Sequence, residues 1–398
     1  MSEPSAPCPA CGSTRCESVY SVPSVPTNSC LLVDTADEAR NLPRGELDLM
    51  LCHQCGYLFN ALFDERLTGY DERYEDSQAF SGTFAEYGRG LAKTWVEEHD
   101  LAGRTVVEIG AGRGDFSRML LEAGAGSVIA IDPTIKPERV GDTMDGRIVL
   151  RAERFDASTG LPPCDAVVFR HVLEHVAEPR TLLRDLYAAL AGRPDVPVLV
   201  EVPDTKRVLE ESAFWDVYYE HCGYFVEQSA VTLFASCGFV VDSIDRGFDE
   251  QYLLLSAHAE PRAELGGAVP VPLGLARQAR EFASSVTGEI ASWQAELRRR
   301  SAAGADIVLW GSGSKSTAFL TVIGADADAV SRVVDVNPHK QGRFMLGSGH
   351  PIVSPGSLAA QPPQLVVVMN PVYLDEIRQD LASLEIAADV MALGVDLT

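Results

Sequence analysis

Three stretches of this 398-residue chain have the residue types and spacing to do chemistry. "VYYEHCGYF" (217–225) sets the carboxylate Glu220 beside the imidazole His221 and surrounds both with the phenols Tyr218, Tyr219 and Tyr224. Imidazole titrates near neutral pH, so His221 reads as a general base; the alternative is a buried polar corner that satisfies itself. Adjacent strand residues face opposite ways, so a His221–Glu220 pair requires a turn. "VVEIGAGRGDF" (106–116) places Gly110, Gly112 and Gly114 after an apolar run, where the backbone can turn sharply and approach a ligand closely. "CPAC" and "CHQC" pair Cys8 with Cys11 and Cys52 with Cys55, each pair able to reach one ion from a tight knuckle.

A glycine triplet also suits dinucleotides, but two carboxylates narrow the choice. Glu108, two residues before the first glycine, would repel a pyrophosphate yet can hold the ammonium group of an amino acid. Asp132, in "IAIDP", stands where a carboxylate accepts both ribose hydroxyls. With the GxGxG spacing, these residues favour S-adenosylmethionine over NAD. "FRHVLEHV" (169–176) adds Arg170 and His171 at the end of another strand, where ligands of open α/β sheets bind. The two cysteine knuckles supply the closed four-sulfur set of a structural zinc site, with Cys16 and Cys30 as substitutes outside any knuckle. "WGSGSKSTAF" (310–319) offers Gly311, Gly313 and Lys315 at a strand–helix turn, a reasonable anion site. Asn337, His339, Lys340 and Asn370 lie in nearby turns. Lys315, Tyr224 and Asn370 are the expected substrate contacts.

The elements that must position these residues fall into three modules. Residues 1–65 read as a zinc-binding module with short strands, and 66–99 show helical periodicity. From residue 104 apolar strands alternate with amphipathic helices, the pattern of a parallel sheet covered on both faces. "FVVDSIDRG" and "QYLLLSAHA" read as an antiparallel hairpin finishing that sheet. "PRAELGGAVPVPLG" (261–274) looks like a linker, followed by a helix over roughly 275–303 and a second strand–turn–helix series. The predicted fold class is therefore α/β: a Rossmann-like domain over 66–262, between the small zinc module and a smaller α/β domain over 263–398.

Composition sets the outer bounds. Hydrophobic residues make up 46% and charged residues 23%, ordinary for globular domains. The formal net charge of −24 repels phosphate backbones and argues against nucleic-acid partners. No apolar run is long enough to span a bilayer, the start does not read as a signal peptide, and nine cysteines suit thiols or metal ligands. A cytoplasmic protein with no membrane partner is the expectation; oligomeric state is not legible.

"VVEIGAGRGDF", "IAIDP" and "VFRHVLEHV" resemble class I S-adenosylmethionine-dependent methyltransferases. With the paired CxxC module, "EVPD", "YYEHCGYF" and "VVDVNPHKQGRF" added, the whole chain resembles the nucleotide-sugar C-methyltransferases that make branched deoxysugars. In that family a zinc module precedes the methyltransferase domain and a C-terminal Rossmann-like domain helps bind the nucleotide sugar. The resemblance implies cofactor contacts at Glu108, Gly110, Gly112, Asp132 and around Arg170 and His171. Its Y-x-E-H pattern falls on Tyr218, Glu220 and His221, lining the reacting sugar with an upstream tyrosine, here Tyr74.

The leading expectation is methylation of a carbon α to a ketone on a nucleotide-linked keto-deoxysugar, through an enolate, with S-adenosylmethionine as donor and a structural zinc. A second reading keeps the cofactor and moves the methyl to oxygen or nitrogen of another small metabolite. A third, from another class, is a non-enzymatic zinc-ribbon binding protein.

Overall fold

The computed structural model of the protein describes residues 6–69, 72–260 and 274–395. Its largest sheet has seven strands. From edge to edge they are Phe239–Gly247, Tyr252–Ala259, Val198–Pro203, Ala166–Arg170, Thr105–Ile109, Ser127–Ile131 and Ile148–Arg151. All are parallel except Tyr252–Ala259, which runs against both neighbours. Apart from Thr105 and the charged residues Glu108, Arg170 and Glu201 toward their carboxyl ends, the inner strands are apolar because helices cover both faces. The chain leaves Thr105–Ile109 toward one edge and returns on the other side at Ala166–Arg170. That reversal opens a crevice beyond the carboxyl ends of these two strands.

Among the described residues of 66–99, helical periodicity is realised as the helix Gly82–Glu98, with a single short helical turn at Glu65–Leu67 before it. Ser81 caps it, accepting the Phe84 N–H at 3.3 Å, and the Ser81 hydroxyl donates to Glu376 at 2.7 Å. Residues 72–81 form no long helix because their polar groups bind distant partners, and they run as an irregular strap across the crevice. The expected linker lies outside the described residues except for Gly274, which opens the 28-residue helix Leu275–Ala302 at φ 113°.

A second, five-stranded sheet is all parallel, in the order Ile352–Val353, Val330–Val334, Ile307–Trp310, Leu365–Val368, Asp389–Ala392. The amino-terminal sheet is antiparallel: Cys16–Pro26, Arg44–Cys52, Leu58–Asn60 and, from far along the chain, Gly223–Tyr224. Leu58 pairs with Tyr224 and Phe59 with Gly223, so the first module reaches directly into the "YYEHCGYF" stretch. Gly223 permits this approach, since a Cβ there would meet the Tyr57 hydroxyl at 1.8 Å.

One hydrophobic cluster joins Leu49 of the amino-terminal sheet, Phe214 of the short turn Phe214–Asp216, Phe282 and Trp293 of the long helix, and Leu309 of the second α/β unit. Each large ring buried this way stabilises the fold by about 2 kcal/mol or more. Another cluster packs the four cysteines' surroundings onto the central sheet through Phe169, Leu183 and Phe225. The amino-terminal module is thus cemented to both later parts. Among the described residues, no helix is long and apolar enough to cross a membrane.

Candidate active site

Strand Thr105–Ile109 delivers the chain into a turn where Gly110, Gly112 and Gly114 all have positive φ (76°, 53° and 72°). A Cβ on Gly110 would fall 2.2 Å from Val172, so only glycine lets the turn close against the next loop. Glu108 is 3% exposed, accepts a hydrogen bond from Ser117, and lines the cavity that fills the crevice. Burial pushes its carboxyl up to about 7, against the opposing pull of Ser117 and Arg170. Asp132 accepts the Gly112 N–H at 3.0 Å and the Thr134 hydroxyl at 2.7 Å, which fixes the turn.

Arg170 and His171 border the same cavity, but both lean on a carboxylate that the sequence reading passed over, Glu201 on strand Val198–Pro203. Arg170 donates to Glu201 at 2.9 Å and lies 4.2 Å over the Phe116 ring. His171, in the left-handed region at φ 54°, has Nε2 2.6 Å from Glu201 and Nδ1 3.4 Å from Glu174. Burial opposes the charge on His171, yet Glu201 and Glu174 raise it to about 9. Burial likewise opposes ionisation of Glu201, and Arg170, His171 and Tyr87 hold it down at about 2.

The stretch 217–225 makes the turn that its sequence requires, but the partners differ from adjacency. The Tyr218 hydroxyl stands 2.7 Å from His221 Nε2. Glu220 points away from the cavity, accepting the Ser29 N–H at 2.7 Å and the Asn28 amide at 3.3 Å. It pins this stretch to the amino-terminal module and forms no pair with His221. Its carboxyl is raised by burial, with Ser29 and His175 opposing. Burial, then the charges of His175, His171 and Lys315, lower His221 well below the imidazole range, so the ring is neutral at pH 7. Tyr224 holds the local backbone, its hydroxyl accepting the Tyr218 N–H at 3.2 Å and donating to the Tyr218 carbonyl at 3.1 Å. Tyr74 faces the same cavity from the strap, bridged by its backbone to Leu31.

On the far wall, Asp335 accepts the Ser312 N–H at 2.8 Å and fixes the Gly311–Lys315 turn. The Lys315 ammonium contacts Asp216, which Arg207 also holds at 2.6 Å. Burial opposes ionisation of Asp216, but the two cations keep it below the usual carboxylate range. Asn370 exchanges two hydrogen bonds with Gln251, at 2.9 and 3.0 Å. A further carboxylate the sequence reading missed, Glu75, is 2% exposed and receives Arg113 of the glycine turn and Asn337 at 3.1 Å. His175 was also missed, although it stands in the quoted loop. The short helical turn Leu173–His175 swings it to 4.8 Å from His221, ring centre to ring centre. Four-residue spacing after His171 was the available signal.

All these walls enclose one cavity of about 370 Å³. A buried carboxylate above a glycine cradle fits the ammonium end of S-adenosylmethionine. The four expected zinc ligands also meet: Cys8 and Cys55 sulfurs are 3.7 Å apart, Cys11 and Cys52 3.6 Å, all within 4.8 Å of one another. Sulfurs at about 2.3 Å from a tetrahedral ion stand about 3.8 Å apart, so the set fits zinc.

The seven-stranded sheet with its single reversed strand, the glycine turn and the acid closing the second strand define a class I S-adenosylmethionine-dependent methyltransferase. Residues 80–244 match the family described as methyltransferase domain, and residues 273–389 the family described as C-methyltransferase C-terminal domain. The chain therefore carries both a methyltransferase domain and, after it, a C-methyltransferase C-terminal domain. It is 28% identical over 389 residues to C-methyltransferase NovU of Streptomyces niveus, covering 93% of this chain and 90% of that one. It is also 29% identical over 118 residues to an uncharacterized methyltransferase of Geobacillus kaustophilus, covering 29% of this chain and 50% of that protein. Among solved structures, N,N-8-amino-8-demethyl-D-riboflavin dimethyltransferase of Streptomyces davawensis is 21% identical, covering 44% of this chain and 56% of that one, with a TM-score of 0.37. The chain is an enzyme, which removes the non-enzymatic zinc-ribbon reading.

Proposed function

We propose that the protein methylates a carbon α to the ketone of a nucleotide-linked deoxysugar. The observation that supports this most is the shared cavity. Its walls are the Gly110–Gly114 turn with Glu108, the Tyr218–His221 pair, and the Gly311–Lys315 turn. When bound, S-adenosylmethionine supplies an electrophilic methyl group; the chain must make and hold the nucleophilic carbon. In this reading Glu108 takes the ammonium group and Asp132 the ribose. Amides of the second glycine turn and Lys315 take the diphosphate.

His221 is the base. The Tyr218 oxygen accepts a hydrogen bond from Nε2–H and so leaves the lone pair on Nδ1, which takes the α-proton while the C–H electrons pass into an enolate. Glu220 is a positioning residue, anchoring the turn through Ser29. A zinc ion on the four cysteines would hold the strand Leu58–Asn60 against Gly223–Tyr224, two residues from the base. Tyr74 contributes the wall beside the sugar. The descriptions attached to the matching C-terminal domain and to the Streptomyces niveus relative both favour carbon over oxygen or nitrogen.

The test is incubation with S-adenosylmethionine and a panel of nucleotide 4-keto-deoxysugars, read by product mass and fragmentation. A single methyl gained on a sugar carbon is expected. Methyl gain only on hydroxyl- or amine-bearing metabolites would overturn the acceptor and leave the cofactor half standing.

A further inference from the structure

We propose that the cavity also holds a second metal site, formed by Glu174, His175 and His221, that takes an exchangeable divalent cation of the zinc, cobalt or nickel kind. A ring nitrogen of each histidine and a carboxylate oxygen of Glu174 lie within 4.8 Å of one another, and all three residues face the cavity. Glu174 is 1% exposed, and neither of its oxygens accepts a hydrogen bond among the described residues. The His171 ring, 3.4 Å from Oε1, is within ion-pair reach but not hydrogen bonded. His171 thus supplies a countercharge but no direct donor, and a metal cation in front of the carboxylate supplies the close partner its oxygens lack.

The two imidazoles carry the outer contacts that metal-binding histidines use. His175 Nδ1 is 3.0 Å from the Glu220 carbonyl, and His221 Nε2 is 2.7 Å from the Tyr218 hydroxyl. Such contacts fix each ring and make its opposite nitrogen the metal donor. Two imidazoles and one carboxylate suit borderline divalent ions. The set contrasts with the four cysteines: those close a tetrahedron, whereas three donors on a cavity wall leave positions open to water. The four-sulfur site would therefore retain its ion while the cavity site exchanges.

The site has a functional consequence that rests on the proposed function. The His221 lone pair cannot hold a metal and remove an α-proton at once. Free zinc then inhibits methyl transfer, competing with the keto acceptor and not with S-adenosylmethionine.

The experiment titrates cobalt(II) into full-length protein whose four-cysteine site is already filled with zinc. One further equivalent is expected, with weak d–d absorption and no thiolate charge-transfer band. Glu174→Gln and His175→Asn should each weaken that binding by about tenfold or more while leaving S-adenosylmethionine affinity near wild type. The proposal is overturned if no extra cobalt binds, if the new bands are of thiolate type, or if both variants bind cobalt as wild type does. Zinc added to the transfer assay gives the second readout. Inhibition competitive with the acceptor supports both the site and the base; cobalt bound in the cavity without inhibition keeps the site and counts against His221 as the base.

Discussion

In the methyltransferase half, strand Thr105–Ile109 leads into the Gly110–Gly114 turn, and Asp132 at the end of the next strand accepts the Gly112 N–H at 3.0 Å. In the carboxyl-terminal half, strand Ile307–Trp310 leads into the Gly311–Lys315 turn, and Asp335 accepts the Ser312 N–H at 2.8 Å. The backbone device is the same, and the two turns face one cavity. The charges differ. Two residues before the first glycine stands Glu108 in one half and Leu309 in the other; where the first turn ends in Gly114, the second ends in Lys315. One unit buries a carboxylate, suited to a cationic amino acid. The other carries an ammonium at a helix start, suited to an anion, with Asp216 balancing it. A repeated backbone motif thus says where a ligand sits, and the side chains around it say of which charge.

The comparison predicts that the two halves can be broken separately. His221→Asn, on the acceptor side, should lower methyl transfer by about 10²- to 10⁴-fold with S-adenosylmethionine affinity unchanged in titration calorimetry. Loss of cofactor binding in that variant would merge the halves. Glu108→Gln should do the reverse, weakening cofactor binding by about tenfold or more. Because burial holds the Glu108 carboxyl up at about 7, it must lose its proton to receive the ammonium. Wild-type affinity should therefore weaken as pH falls below about 7, by up to about tenfold per unit, and Glu108→Gln should lose that slope.

Smaller effects sharpen the boundary. If the four cysteines hold zinc, chelating it should reduce transfer several-fold before cofactor affinity moves, since Leu58 and Phe59 pair with Tyr224 and Gly223 beside the proposed base. Hydrogen exchange should show residues 58–60 and 218–224 loosening together; exchange confined to the knuckles would contradict this. Lys315→Met should raise KM for the nucleotide sugar by about tenfold with kcat little changed, the sign of lost uniform binding. An unchanged KM would remove the second glycine turn from the acceptor site.

Local signals were the legible ones. Apolar strands, glycine turns and cysteine knuckles each announce themselves within a few residues, and Asp132 and Glu108 stand at fixed offsets from a turn. The Tyr218–His221 contact spans three residues and was half visible. What the sequence hid are pairings between distant segments. Glu220 adjoins His221 in sequence and was expected among the catalytic residues, yet its carboxylate binds Ser29, 191 positions away. Glu201 looked like one residue of a strand, although it receives both Arg170 and His171. Lys315 carried no sign that Asp216 would meet it. The break at Ser81, in place of a helix from 66 onward, follows from polar contacts to Glu376 that no periodicity encodes.

The most direct test of the central claim is α-hydrogen exchange in heavy water. A nucleotide 4-keto-deoxysugar is incubated with the protein and S-adenosylhomocysteine, which blocks transfer, and the α-position is followed by mass and proton NMR. The account predicts deuterium at that carbon with wild type and none above background with His221→Asn. Methyl transfer by wild type with S-adenosylmethionine, but no α-exchange under any of these conditions, would contradict it.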